Sequence, residues 1–170
     1  MNSTERPSEI TAPRLLLSAR EYFLAASSLK NEVRGNRILF PKNLLYCLSI
    51  ELGLKAFLKA QNFSQETLKN SYGHDLVKLL NEAEKKGLFL LKYDKMVEYS
   101  KTYNLLYKKK EMEYIDTGYY SFKEKYDKLE KDIQIFLTDI YSACYGSIGI
   151  NASLSEWHAK NTFLNEAEVE

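Results

Sequence analysis

Glu51 and Lys55 are the only charged residues between Leu44 and Leu58, and Gly73-His74-Asp75-Leu76 follows them along the chain. Four apart on an α-helix, Glu51 and Lys55 lie one turn above each other on the same face. An acid and a base on an otherwise apolar helix are costly to bury unless they pair or serve a site. As a pair they fix helix packing. As a site, Lys55 offers a cation to a phosphate while Glu51 orients it or a nearby hydroxyl. His74 and Asp75 stand where a helix begins, and unpaired backbone N–H groups there favour anions. Asp75 suits the cap position. His74 is placed either to contact a ligand or to bond back to the second helix at Glu51. Histidine suits general acid–base work, but no Ser or Cys nucleophile is identifiable beside it.

A second candidate surface is richer in aromatics. Eight of the thirteen tyrosines lie between Tyr93 and Tyr126, interleaved with Lys92, Lys95, Lys101, Lys108, Lys109 and Lys110. Tyrosines such as Tyr103 and Tyr107 can stack bases while lysines such as Lys110 hold phosphates. Tyr99, Tyr103 and Tyr107 also recur every four residues, the spacing of a core-facing stripe, and Lys108 to Lys110 equally read as a solvated charge run.

These residues need helices to position them. Residues 1–12 are polar and read as a frayed arm. A first long helix begins near Pro13, a residue suited to a first turn. It carries Leu16, Ala19, Tyr22, Phe23, Ala26, Leu29 and Val33 at helical spacing, and Gly35 ends it. Pro41 opens a second helix to about Ala60, apolar nearly all round and so the expected centre of the fold. Ser64 is a candidate cap for a short turn. A third helix starts near Asp75, with Leu76, Leu79, Leu80 and Ala83 on its apolar face, and stops at Gly87. A fourth spans 92–108, residues 109–122 read as a loop, and a fifth spans 123–144 with Tyr126, Leu129, Ile133, Phe136, Ile140 and Cys144 along one stripe. The spacing thus predicts an all-α, up-and-down bundle of four to five helices over 13–146. Residues 147–170 form a tail with Leu154, Trp157, Phe163 and Leu164, compatible with an appended helix.

Composition narrows the classes. At 170 residues, 45% hydrophobic and 28% charged, the chain fits one domain with a substantial core. A formal net charge of +1 gives no global pull towards polyanions, so any nucleic-acid surface must be local. Cys47 and Cys144 fall within apolar helical patterns and read as reduced core residues. The chain shows no signal-peptide pattern and no apolar run of about 18 residues, which makes a cytoplasmic location the expectation and argues against a membrane partner. Two His and two Cys at scattered positions form no zinc spacing, and no P-loop is present. No metal or cofactor is expected.

The segment Ile50-Glu51-Leu52-Gly53-Leu54-Lys55-Ala56-Phe57-Leu58, followed by Gly73-His74-Asp75-Leu76, resembles HEPN-like (higher eukaryote and prokaryote nucleotide-binding) helical proteins. The run Lys110-Glu111-Met112-Glu113-Tyr114-Ile115-Asp116-Thr117-Gly118 looks like a loop segment of bacterial members, and it alone singles out Glu113, Tyr114 and Gly118. The resemblance spans roughly residues 40–120. It implies a helical bundle, usually dimeric, that binds nucleotide or RNA and serves prokaryotic defence, stress or toxin–antitoxin systems. It also implies a possible protein partner such as a nucleotidyltransferase or a toxin. Many relatives are metal-independent ribonucleases carrying Arg-x4-6-His on a late helix. The only His here with a basic residue at that spacing is His74, and that residue is Lys69, in a stretch read as a loop. Three readings stand: a binding module using Glu51, Lys55 and His74; a ribonuclease using His74 with Lys69; and a non-catalytic interaction scaffold. A basic pocket opening at His74 favours binding, and a closed Glu51–Lys55–His74 network favours structure.

Overall fold

A computed structural model of the chain describes residues 10–29, 40–113 and 126–146. Every regular element among the described residues is helical, as the sequence pattern predicts. Helix α1 spans Ala12–Ser28, with Pro13 in its first turn. It buries Leu16, Ala19, Phe23 and Ala26, whereas Tyr22 and Leu29, expected on that face, are exposed. The helix also ends earlier than Gly35 would place it. Ser28 Oγ donates to the carbonyl of Ala25 (2.8 Å), competing with the helical ladder, and Leu29 is already extended. Lys42 Nζ donates to the Leu29 carbonyl at 3.0 Å and fixes the exit. Val33 and Gly35 lie outside the described residues.

Helix α2 (Phe40–Ala60) is the centre the sequence predicts, packing against α1 and against four later helices. Ser64 caps a short helix, α3 (Gln65–Thr67), by accepting from the Thr67 amide at 3.0 Å. A π-helical turn over Leu68–Tyr72 continues it where a plain polar loop was expected. Helix α4 (Leu76–Lys85) follows, and Gly87 stops it in the left-handed region at φ +93°. The Leu88 amide then reaches back to the Ala83 carbonyl at 3.0 Å, a Schellman-type close that leaves Leu88 buried.

Helix α5 (Asp94–Lys108) begins two residues later than its pattern suggested, after a 3-10 turn over Leu90–Tyr93. Its start is set from outside. Asp132 Oδ2 accepts from the Lys95 amide (2.8 Å) and the Met96 amide (3.3 Å). The single helix expected over 123–144 is two, α6 (Tyr126–Asp139) and α7 (Tyr141–Gly146). They join at Asp139, whose carboxylate is held by Lys92 Nζ and Tyr93 Oη at 2.8 Å each. Of the predicted stripe, Leu129, Ile133, Phe136, Ile140 and Cys144 are buried regardless, and Tyr126 at its start is half-buried. Gly53 lets α2 and α6 approach: a Cβ there would stand 2.6 Å from Phe136 Cε1. The whole of the expected tail, 147–170, and most of the arm lie outside the described residues.

Candidate functional site

Glu51 projects from the middle of α2 and is only 3% exposed. Its charge is met by three donors from three parts of the chain. Lys55 Nζ, one turn along α2, donates to Oε1 at 2.7 Å. On Oε2 converge Tyr107 Oη from the end of α5, at 2.6 Å, and His74 Nδ1, at 2.9 Å. A buried carboxylate without such partners would cost several kcal/mol, so this saturation is what permits Glu51 to sit there. Burial, then the Glu51 charge and its hydrogen bond, push the Tyr107 phenol far above the usual tyrosine range, so it remains a donor.

His74 reaches Glu51 because the chain turns sharply just before it. Gly73 takes φ +52°, ψ −121°, a conformation that side chains resist. The His74 ring stands edge-on to Tyr107, with centroids 5.8 Å apart and planes at 84°. A carboxylate can only accept, so Nδ1 carries the hydrogen. Nε2 is left without a hydrogen-bond partner among the described residues, on a side chain that is 47% exposed. Lys55, by contrast, is mostly covered. The Glu51–Lys55–His74 network is assembled within one chain, with the His74 ring left exposed at its edge.

Next along the chain, Asp75 is the N-cap of α4, as its type and place suggested. Its Oδ1 accepts from the Lys78 amide (3.1 Å) and from Asn104 Nδ2 (3.3 Å), and its Oδ2 from Lys108 Nζ (2.7 Å). Burial alone would raise its pKa; the Lys108, Lys78 and Asn104 hydrogen bonds outweigh that and hold the carboxyl below its ordinary value. Lys108, read in the sequence as part of a solvated run, is therefore an ion-pair partner. The start of α4 is not an open anion site either. The Val77 amide donates to Asn104 Oδ1 (3.4 Å) and the Lys78 amide to Asp75, so neighbouring side chains take amides that would otherwise favour an anion.

The tyrosine surface is a core stripe. Tyr99, Tyr103 and Tyr107 are all buried. Tyr103 packs on Tyr99 with ring centroids 4.4 Å apart and accepts from Asn43 Nδ2 at 3.4 Å, so neither Tyr103 nor Tyr107 presents a face for a base. Lys110 is exposed just beyond α5, in the left-handed region at φ +62°. Glu113 is exposed nearby, and its charge contributes to the raised pKa of Tyr107. Tyr114 and Gly118 lie outside the described residues. Lys69 is exposed on the π-helical turn, five residues before His74, and no hydrogen bond or ion pair joins the two among the described residues.

Sequence reasoning missed a second polar network at the other end of α2. Lys42 is 1% exposed, pairs with Glu130 at 3.4 Å and lies 4.7 Å from the Tyr126 ring centroid. Tyr46 donates to Glu130 and stacks on Tyr126. Tyr126 and Tyr99 both donate to Asn43 Oδ1, at 2.9 and 3.0 Å. The available signal was Lys42 set one turn before Tyr46 on a helix apolar nearly all round, the same reasoning that singled out Glu51 and Lys55. The two free cysteines are buried, as expected; burial pushes the Cys144 thiol up to about 12, and burial followed by the Glu51 charge raises Cys47 further. No helix among the described residues is long and apolar enough to cross a membrane. Comparison with family models, with curated proteins and with solved structures found no match to this chain.

Proposed function

We propose that the chain is a HEPN-like helical module that binds the phosphate of a nucleotide or RNA through His74. On this reading it works as a cytoplasmic dimer in a prokaryotic defence, stress or toxin–antitoxin system. The observation that carries the reading is the buried Glu51 carboxylate, which grips His74 by Nδ1 and leaves Nε2 on an exposed ring. A histidine needed only for packing has no reason to keep half its surface in water. A carboxylate behind an imidazole fixes its tautomer and the direction of its ring, which holds Nε2 towards solvent and whatever binds there. Two buried free thiols fit a reducing compartment.

The test is binding of a fluorescent oligouridylate followed by anisotropy, with EDTA present, for wild type and His74→Ala. Loss of binding in the variant, with its helical circular dichroism intact, is expected. Equal binding by both proteins would overturn the reading. The same mixtures run on a gel report cleavage, and cleavage that disappears with His74 would move the chain to the ribonuclease reading.

A further inference from the structure

Resting on that phosphate-binding reading, we infer that the site is proton-gated: His74 binds an anionic phosphate only when its Nε2 has taken up a proton. The geometry leads there in two steps. With Nδ1–H donating to Glu51 Oε2 at 2.9 Å, a neutral His74 turns the lone pair of Nε2 outward, and a phosphate oxygen would meet it lone pair to lone pair. Protonation adds the hydrogen at Nε2, the one position able to receive it, and converts an acceptor into a donor.

The second step is charge. The ring bonds Glu51 of α2, which Lys55 pairs, and stands edge-on to Tyr107 of α5; Asp75, next in the chain, is paired with Lys108 of α5. Each carboxylate has its own ammonium at 2.7 Å, Glu51 with Lys55 and Asp75 with Lys108. These four charges cancel, so the centre is electroneutral until His74 is protonated. Lys69, Lys78 and Glu113 on the surrounding segments are exposed, and Tyr72 on the turn before His74 has a phenol raised by burial and by Glu82. Asp75 is held below the ordinary carboxylate range, and Tyr107 and Cys47 are held above their ordinary ranges, so none of the three changes charge near neutrality. The proton comes from solvent on binding and returns to it on release.

Calorimetry with oligouridylate, whose phosphodiesters do not titrate near neutrality, tests this on the full chain. Titrations at about pH 5.5 and about pH 8, in pairs of buffers differing in ionisation enthalpy, give affinity and proton uptake together. The expected result is at least about a tenfold loss of affinity towards pH 8, with net proton uptake at intermediate pH. His74→Gln, at an exposed position and checked by circular dichroism, should abolish both effects. Wild-type binding that is independent of pH would overturn the gating while leaving the phosphate site standing. Absence of binding at both pH values would overturn both. A pH dependence that persists in His74→Gln would overturn the assignment to His74.

Discussion

Glu51→Gln removes one charge with almost no change of shape, and the consequences follow from the three donors around the carboxylate. An amide can offer one acceptor where the carboxylate offered two. Lys55 Nζ sits on Oε1, while Tyr107 Oη and His74 Nδ1 share Oε2. If the amide oxygen faces Lys55, its NH2 confronts two donors. Tyr107 can rotate its hydroxyl and His74 can switch tautomer, but one charge-assisted bond is lost and another becomes neutral. Charge-assisted bonds contribute about 1.5–3 kcal/mol each, and the mostly covered Lys55 keeps a route to water that softens its loss. The expected destabilisation is about 2–4 kcal/mol. Urea unfolding at constant m-value reads it directly. A double-mutant cycle with Tyr107→Phe should show a coupling of about 1 kcal/mol or more, since the two residues share the bond. A loss below about 0.5 kcal/mol would mean that Glu51 is hydrated rather than gripped, and the account of His74 positioning would fall with it.

Gly53→Ala should destabilise by about 1–2 kcal/mol, because the clash with the buried Phe136 and Leu137 rings and methyls exceeds the helix propensity gained; thermal unfolding checks it, and a stabilised variant would show that α6 is free to move away. Gly73→Ala has room, its nearest neighbour being 3.7 Å away, but must hold φ +52°, so a loss of about 1–3 kcal/mol with weakened oligouridylate binding is expected. Asp75→Ala removes the α4 cap and should cost about 1–2 kcal/mol at neutral pH. Because the folded pKa of Asp75 is depressed, its contribution is present above the unfolded carboxylate pKa and is lost as pH falls through the folded one. The stability gap between wild type and Asp75→Ala should therefore shrink in acid, and a gap that widened there would contradict the assignment.

The parts of this fold that could be read from sequence are those where one local signal dominates. Leu76, Leu79, Leu80 and Ala83 gave the buried face of α4, and Gly87 its end, because periodicity and a left-handed C-cap are written within a few residues. The all-round apolar character of α2 located the centre, and the four-residue spacing of Glu51 and Lys55 located their ion pair. What escaped depends on partners distant in sequence. The start of α5 is fixed by Asp132 from α6, and the division of α6 from α7 coincides with Asp139 tied to the 3-10 turn. The four-residue spacing of Tyr99, Tyr103 and Tyr107 fits a core stripe, and burial of Tyr107 beside Glu51 is what removes the stacking alternative. The lysines gave no sign of which would be neutralised, since Lys108 meets Asp75 across two helices. Lys42 stands out locally on an apolar helix, but its partner Glu130 lies far along the chain and has no local signature.

The central claim is that Glu51 holds Nδ1–H of His74 and turns Nε2 outward. Long-range proton–nitrogen NMR of the imidazoles reads this directly. The chain has only two histidines, His74 and His158, so a His158→Gln variant assigns the signals. At about pH 8 the account predicts the Nδ1–H tautomer for His74, with its Nε2 signal moving on addition of oligouridylate as pH is lowered to about 5.5. A predominant Nε2–H tautomer, or an Nε2 signal that ignores the oligonucleotide at both pH values, would contradict it.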